Sequence, residues 1–283
     1  MIHYKSHPSV ALALCFAVAL AVDGFAADAV APDKSITLFN GKDLTGWTTW
    51  LQATADKDPA QAFSVQDGVI HMQGGEHRGY IATKQAYKDY HFTCEFKWGA
   101  KTDGGKYVRN SGVLVHCTGK DGGAGERRGA GGRGAWVTSL EVQLAQGCEG
   151  DLIVIRGIDH DGSRIDAKMS SKVRFEKDGN TRWDPDGRLV QYSGRQFWWN
   201  KHEAGFKELL DTRGKDDVAS KLGEWTKVEV IAKGTTVTVK INGTTVNEAL
   251  DVFPASGRIA LQDEGHEVYF RNVVIGPAPP AKE

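Results

Sequence analysis

The strongest constraint on this chain is a two-residue rhythm. In Thr138–Leu144, Leu140, Val142 and Leu144 share one side, and Ser139, Glu141 and Gln143 share the other. Successive side chains of an extended strand point to opposite faces, so this run predicts a strand with one packed face and one open face. His91–Trp98 alternates in the same way, and Ser111–His116 is a more continuously apolar run between them. Further strand signals recur along the chain, among them Ile36–Phe39, Phe63–Val65, Val69–Met72, Thr226–Ala232, Thr236–Ile241, Thr244–Leu250 and Val268–Ile275. Asn242–Gly243 and Asp67–Gly68, each between two such runs, predict tight hairpins. Helical periodicity is confined to a weak stretch at Asp211–Leu222. Many short strands with glycine turns predict an all-β chain, an antiparallel β-sandwich.

Residues 1–26 read as a signal peptide: an apolar run from Val10 to Val22, then small residues at Gly24 and Ala26. The run is shorter than the roughly 20 residues that a membrane span needs. The expected location is therefore periplasmic or secreted, with no integral membrane segment in the mature chain. A leader at 27–35 precedes one sandwich domain at 36–275, and a tail at 276–283 with three prolines is expected to lack structure. Two stretches interrupt the strands. Residues 119–134 form a glycine-rich loop with Arg127, Arg128 and Arg133. Residues 157–224 are charged and irregular, carry Trp183, Trp198 and Trp199, and predict an insertion over one face of the sandwich. A net charge of −1 gives no general attraction to nucleic acid. The exported part keeps Cys94, Cys117 and Cys148, too few for a disulfide framework. Cys94 and Cys117 either pair or remain buried thiols.

If the three runs that carry Glu95, His116 and Glu141 are neighbours, one sheet face presents Glu95, Lys97, His116, Glu141 and Gln143 together. A carboxylate, an amide and an imidazole on one face suit a floor that handles sugars. Glu141 is then the general base, and His116, which titrates near neutrality, a second proton carrier. Gln143, Asn110, Arg109, Glu95, Lys97 and His266 are the expected substrate contacts. Each has a plainer alternative: a turn at Asn110, an exposed ion pair at Glu95 and Lys97, a satisfied core imidazole at His116. No metal-binding motif is present, and a divalent ion held by Glu141 and His116 stays open. Phosphate loops, dinucleotide fingerprints and nucleophile elbows are absent from the sequence.

Four phrases in order carry a resemblance: Leu38–Trp47, Asn110–Gly112, Ser139–Leu144 with Gly150 and Asp151, and Gly257–Asp263 with Val268–Asn272. Over roughly residues 36–275 the chain resembles the 3-keto-disaccharide hydrolase domain family. The resemblance implies a jelly-roll sandwich of the concanavalin A type with a groove on its concave face. It also implies cleavage of 3-keto-glycosides, by proton abstraction at carbon 2 and elimination or hydrolysis. The spacing of Asp263 to His266 and the length of the 119–134 loop depart from the family pattern. A non-catalytic, lectin-like carbohydrate-binding module and a conventional glycoside hydrolase or polysaccharide lyase are the alternatives, because one sandwich serves all three.

Overall fold

The structure, a computed structural model, describes residue 1 and residues 28–125, 133–177, 179–192 and 206–280. Trp198, Trp199, Arg127, Arg128 and nearly all of the expected signal peptide lie outside the described residues.

Two antiparallel sheets face each other. The smaller has six strands in the order β2 (Trp47–Leu51), β5 (Arg78–Thr83), β16 (Arg258–Glu264), β7 (Gly112–Thr118), β8 (Thr138–Gln143), β9 (Leu152–Ile155). The spine of the larger runs β11 (Thr181–Trp183), β10 (Lys168–Phe175), β15 (Thr244–Phe253), β14 (Thr236–Ile241), β13 (Thr226–Lys233), β6 (Tyr90–Trp98), β17 (Val268–Pro277), β4 (Val69–Met72), β3 (Phe63–Gln66). Short strands β1 (Ile36–Thr37) and β12 (Arg188–Gln191) pair with β17 and β10. Alternation decides what fills the space between the sheets. Tyr90, Phe92, Cys94, Phe96 and Trp98 of β6 meet Val113, Val115, Leu140 and Val142 of β7 and β8 in one buried cluster. Fully burying a Phe or Val side chain contributes about 1.5–3 kcal/mol, so this seam holds the sheets together.

Both hairpins form as their sequences require. Asn242 and Gly243 have φ of 47° and 81°, and Asp67 and Gly68 have 49° and 76°. Two successive positive φ values match the right-handed twist of the flanking strands.

Several expectations need correction. Part of the 157–224 insertion is strand: β10 joins β15 and extends the large sheet, and β11 and β12 flank β10. Asp211–Leu222 contains no helix, since its short weak pattern lacks a continuous apolar stripe. Gly276 and Pro277 of the expected tail continue β17 against His91 and Tyr90. Cys94 and Cys117 are separate buried thiols: Cys94 points into the main core, and Cys117 belongs to a small cluster on the other face of the small sheet.

Candidate active site

The outer face of the small sheet has two halves. In the first, Tyr80, Ala82, Leu114, Cys117 and Ala260 form an apolar patch. Ala124, in the glycine-rich loop, and Trp136, just after it, cover it and bond to each other through their backbones. Tyr80 Oη donates to Asp121 Oδ1 at 2.6 Å, and Arg258 also pairs with Asp121, which fastens this half shut.

The second half is polar and centres on Gly112. A Cβ on Gly112 would lie 2.7 Å from Glu141 Oε1 and 3.0 Å from Gln262 Oε1. The bare backbone of β7 is therefore what lets a carboxylate and an amide meet over the sheet. Glu141 comes from β8, opposite Leu114, and Gln262 comes from β16. Two residues further along β16, Glu264 accepts from Asn110 Nδ2 at 2.8 Å, and Arg78 Nη1 stands 3.9 Å from its other oxygen. Glu141 Oε1, Asn110 Oδ1 and both polar atoms of the Gln262 side chain are buried and, among the described residues, make no hydrogen bond of good geometry.

Burial is the main cause that raises the Glu141 pKa, and the charge of Glu264 adds to it, while the adjacent Gln262 amide opposes. Glu264 is also raised, by burial first and then by Asp263, with Arg78 opposing. Two carboxylates that share a low-dielectric site cannot both ionise easily, so near neutral pH the pair keeps a proton. Asp263, which points the other way, is pushed up to about 7 by burial, even though the backbone N–H groups of Gly74 and Gly265 bond to it.

The structure does not bring all of the expected residues to this place. His116 sits in a β-bulge, where two residues of β7 oppose one of β8 between Val115 and Thr118, and its φ is 56°. The extra residue turns its ring inward. There it meets Tyr90 edge-on at 5.9 Å, and its Nδ1 lies 2.9 Å from Pro254 O. Burial lowers its pKa to about 4. His116 and Glu141 thus project from opposite faces of one sheet and cannot hold one metal ion between them. Among the described residues, no group of three or more His, Cys, Asp and Glu side chains is placed to hold a metal ion.

Glu95 and Lys97 are also elsewhere. Runs β6 and β7 are consecutive in sequence but belong to different sheets. On the far side of the large sheet Glu95 pairs with Arg271 at 2.6 Å, and Lys97 stands 4.9 Å from the Trp225 ring centre. Gln143 folds back to accept from the N–H groups of Leu144 and Ala145. Arg109 bonds Asp211 at 2.9 Å and Gly99 O at 2.8 Å, next to Asn110 in the chain. His266 is buried with its Nε2 3.4 Å from Asp103 Oδ1. Of the expected residues, Glu141 and Asn110 reach the polar half. The sequence reading missed Gln262, Glu264 and Gly112. Alternation on β16, with Ile259 and Leu261 in the core, was the signal for the first two.

The 3-keto-alpha-glucoside-1,2-lyase-like domain family matches residues 34–276. The chain belongs to this family. Among solved structures it is similar to two proposed glycosyl hydrolases of Parabacteroides distasonis. The first is 21% identical with a TM-score of 0.48, over 87% of this chain and 94% of that one. The second is 19% identical with a TM-score of 0.45, over 87% and 100%. A carbohydrate-binding module of Bacillus subtilis is 11% identical with a TM-score of 0.43, over 82% and 96%. No curated protein matches the sequence.

Proposed function

We propose that this chain is an exported enzyme that cleaves 3-keto-glycosides by elimination, with Glu141 and Glu264 as its reacting pair. A ketone at carbon 3 makes the proton on carbon 2 acidic, because the resulting anion spreads onto the ketone oxygen. The pair reacts through the form that carries its one proton on Glu264: Glu141, ionised in that form, takes the carbon 2 proton, and the bond from carbon 1 to the leaving oxygen breaks. Protonated Glu264 gives its proton to that oxygen, which leaves an unsaturated keto sugar and a free alcohol. Addition of water to the double bond then completes a net hydrolysis. Gln262 Nε2 is the donor for the enolate oxygen. Asn110 holds Glu264 in place. His116, enclosed between the sheets, takes no part.

The observation that carries this reading is the buried Glu141 carboxyl held over Gly112 beside Gln262, with Glu264, bonded to Asn110, two residues further along β16. The test is incubation with a 3-keto-glucoside and, separately, with its unoxidised parent. Consumption of the keto substrate alone is the expected result. Turnover of both would assign a conventional glycosidase, and binding without turnover a lectin-like module.

A further inference from the structure

Three segments close a ring of hydrogen bonds beside the polar half. Arg109, just before β7, donates from Nε to Asp211 Oδ1 at 2.9 Å. The Asp211 N–H donates to Gln146 Oε1 at 2.9 Å. Gln146, shortly after β8, returns its own N–H to Arg109 O at 2.9 Å. Arg109 Nη1 also donates to Gly99 O, so this residue is pinned through both its backbone and its side chain. Asp211 closes the ring with φ of 59°, in the left-handed region that Asp and Asn enter more readily than most residues. Backbone held in that region clusters at functional sites. The residue after Arg109 is Asn110, whose Nδ2 donates to Glu264 at 2.8 Å. Asn110 Oδ1 has no bond of good geometry among the described residues, so the placement of the backbone at 109–110 is what aims this amide at Glu264.

We infer that Asp211, Arg109 and Gln146 are positioning residues: their ring fixes the chain ahead of β7, so that Asn110 holds the Glu264 carboxyl where it protonates the leaving oxygen. The inference rests on the reading of Glu264 as the acid of the cleavage. It gives Arg109 a different part from the substrate contact that the sequence suggests, because the guanidinium is buried in the ring with 6% of its side chain exposed. Asp211 belongs to the insertion, which thereby acts on the chemistry without touching substrate. A misplacement of about 1 Å at a reacting group costs on the order of 10²-fold in rate, so a hold of this kind matters. Asp211 is the residue to test. Its side chain is 46% exposed, and Glu208 nearby ties the same segment to Tyr107 without its help.

Carbon NMR titration of the Glu264 carboxyl in the full chain, with kinetics on a 3-keto-glucoside, tests this. Asp211→Gly removes the acceptor and suits the positive φ, while Asp211→Asn keeps an acceptor oxygen and the same backbone preference. A donated hydrogen bond favours the ionised carboxylate, so loss of the Asn110 bond raises Glu264. Asp211→Gly and Asn110→Ala are each expected to move the Glu264 titration up by about one pH unit, and the double variant to move it no further. Asp211→Asn is expected to stay near wild type. In Asp211→Gly kcat is expected to fall about tenfold with KM little changed, and its basic limb to move up with Glu264. Arg78, Asp263 and Glu141, whose charges act on Glu264, are the same in every variant. A Glu264 titration that either Asp211→Gly or Asn110→Ala leaves unmoved, an equal shift in Asp211→Asn, or additive shifts in the double variant would overturn the inference. A wild-type chain that consumes no keto-glucoside while Glu264 responds as expected would overturn the cleavage reading instead and leave the hold on Glu264 standing.

Discussion

Glu141 combines a position that alternation assigns correctly with an environment the sequence does not reveal. Leu140 and Val142 fix its face, but its acidity depends on Glu264, more than a hundred residues away in the chain. Glu141→Gln keeps the shape and removes the base. It is expected to lower kcat on a 3-keto-glucoside by about 10²–10⁴-fold, the range for a general base, with little change in melting temperature. Gly112 offers a second test at the same scale. Gly112→Ala places a methyl 2.7 Å from Glu141 Oε1, so the carboxylate must swing away. Activity is expected to fall at least tenfold while binding of an unreactive glucoside changes less, measured as a split between kcat and Kd. Retained activity in Gly112→Ala would mean that the observed carboxylate position is not the reacting one.

Strand faces were legible in the sequence, and strand partners were not. Alternation correctly gives β6 one buried and one more open side and separates the two faces of β8, although the expected open face of β8 is itself buried, and the Asn242–Gly243 turn closes as read. Nothing in alternation says which sheet a strand joins, so Glu95 and Lys97 were placed beside Glu141 when the sandwich thickness separates them. The bulge in β7 has the same lesson in smaller form. One extra residue reverses the side on which the next ring lies, and no turn residue marks the spot. Gly257 does leave a trace, since a Cβ there would meet the His116 backbone at 2.5 Å. The consequence is a division of effects. His116→Ala removes a buried ring and leaves Pro254 O without its partner, and is expected to destabilise the fold by about 1–3 kcal/mol in urea melts. The kcat of the folded fraction is expected to stay near wild type, and a large fall in kcat without a stability change would return His116 to the chemistry.

Across the whole molecule, buried acids and the buried imidazole pull stability in opposite directions with pH. Asp263 has an ordinary value of 3.8 when unfolded and about 7 when folded, so the folded state holds the extra proton between those limits. Its contribution is full at low pH and is lost as pH rises through about 7. His116 has 6.5 unfolded and about 4 folded, so its contribution has the opposite slope and is complete above about 6.5. From pH 6.5 to 8 the carboxyls act alone, and the melting temperature is expected to fall over that interval. Asp263→Asn is expected to flatten the fall, and an unchanged slope would contradict the assignment. The sandwich itself followed from patterns of two and from glycine turns. The acid pair did not, because it forms only when β7, β8 and β16 are laid side by side. Its most direct test is a carbon NMR titration of the Glu141 carboxyl in the wild-type chain and in Glu264→Gln. The account predicts a titration well above the usual carboxylate range that moves down when Glu264 is neutralised. An ordinary titration in the wild type, or one indifferent to Glu264, would contradict it.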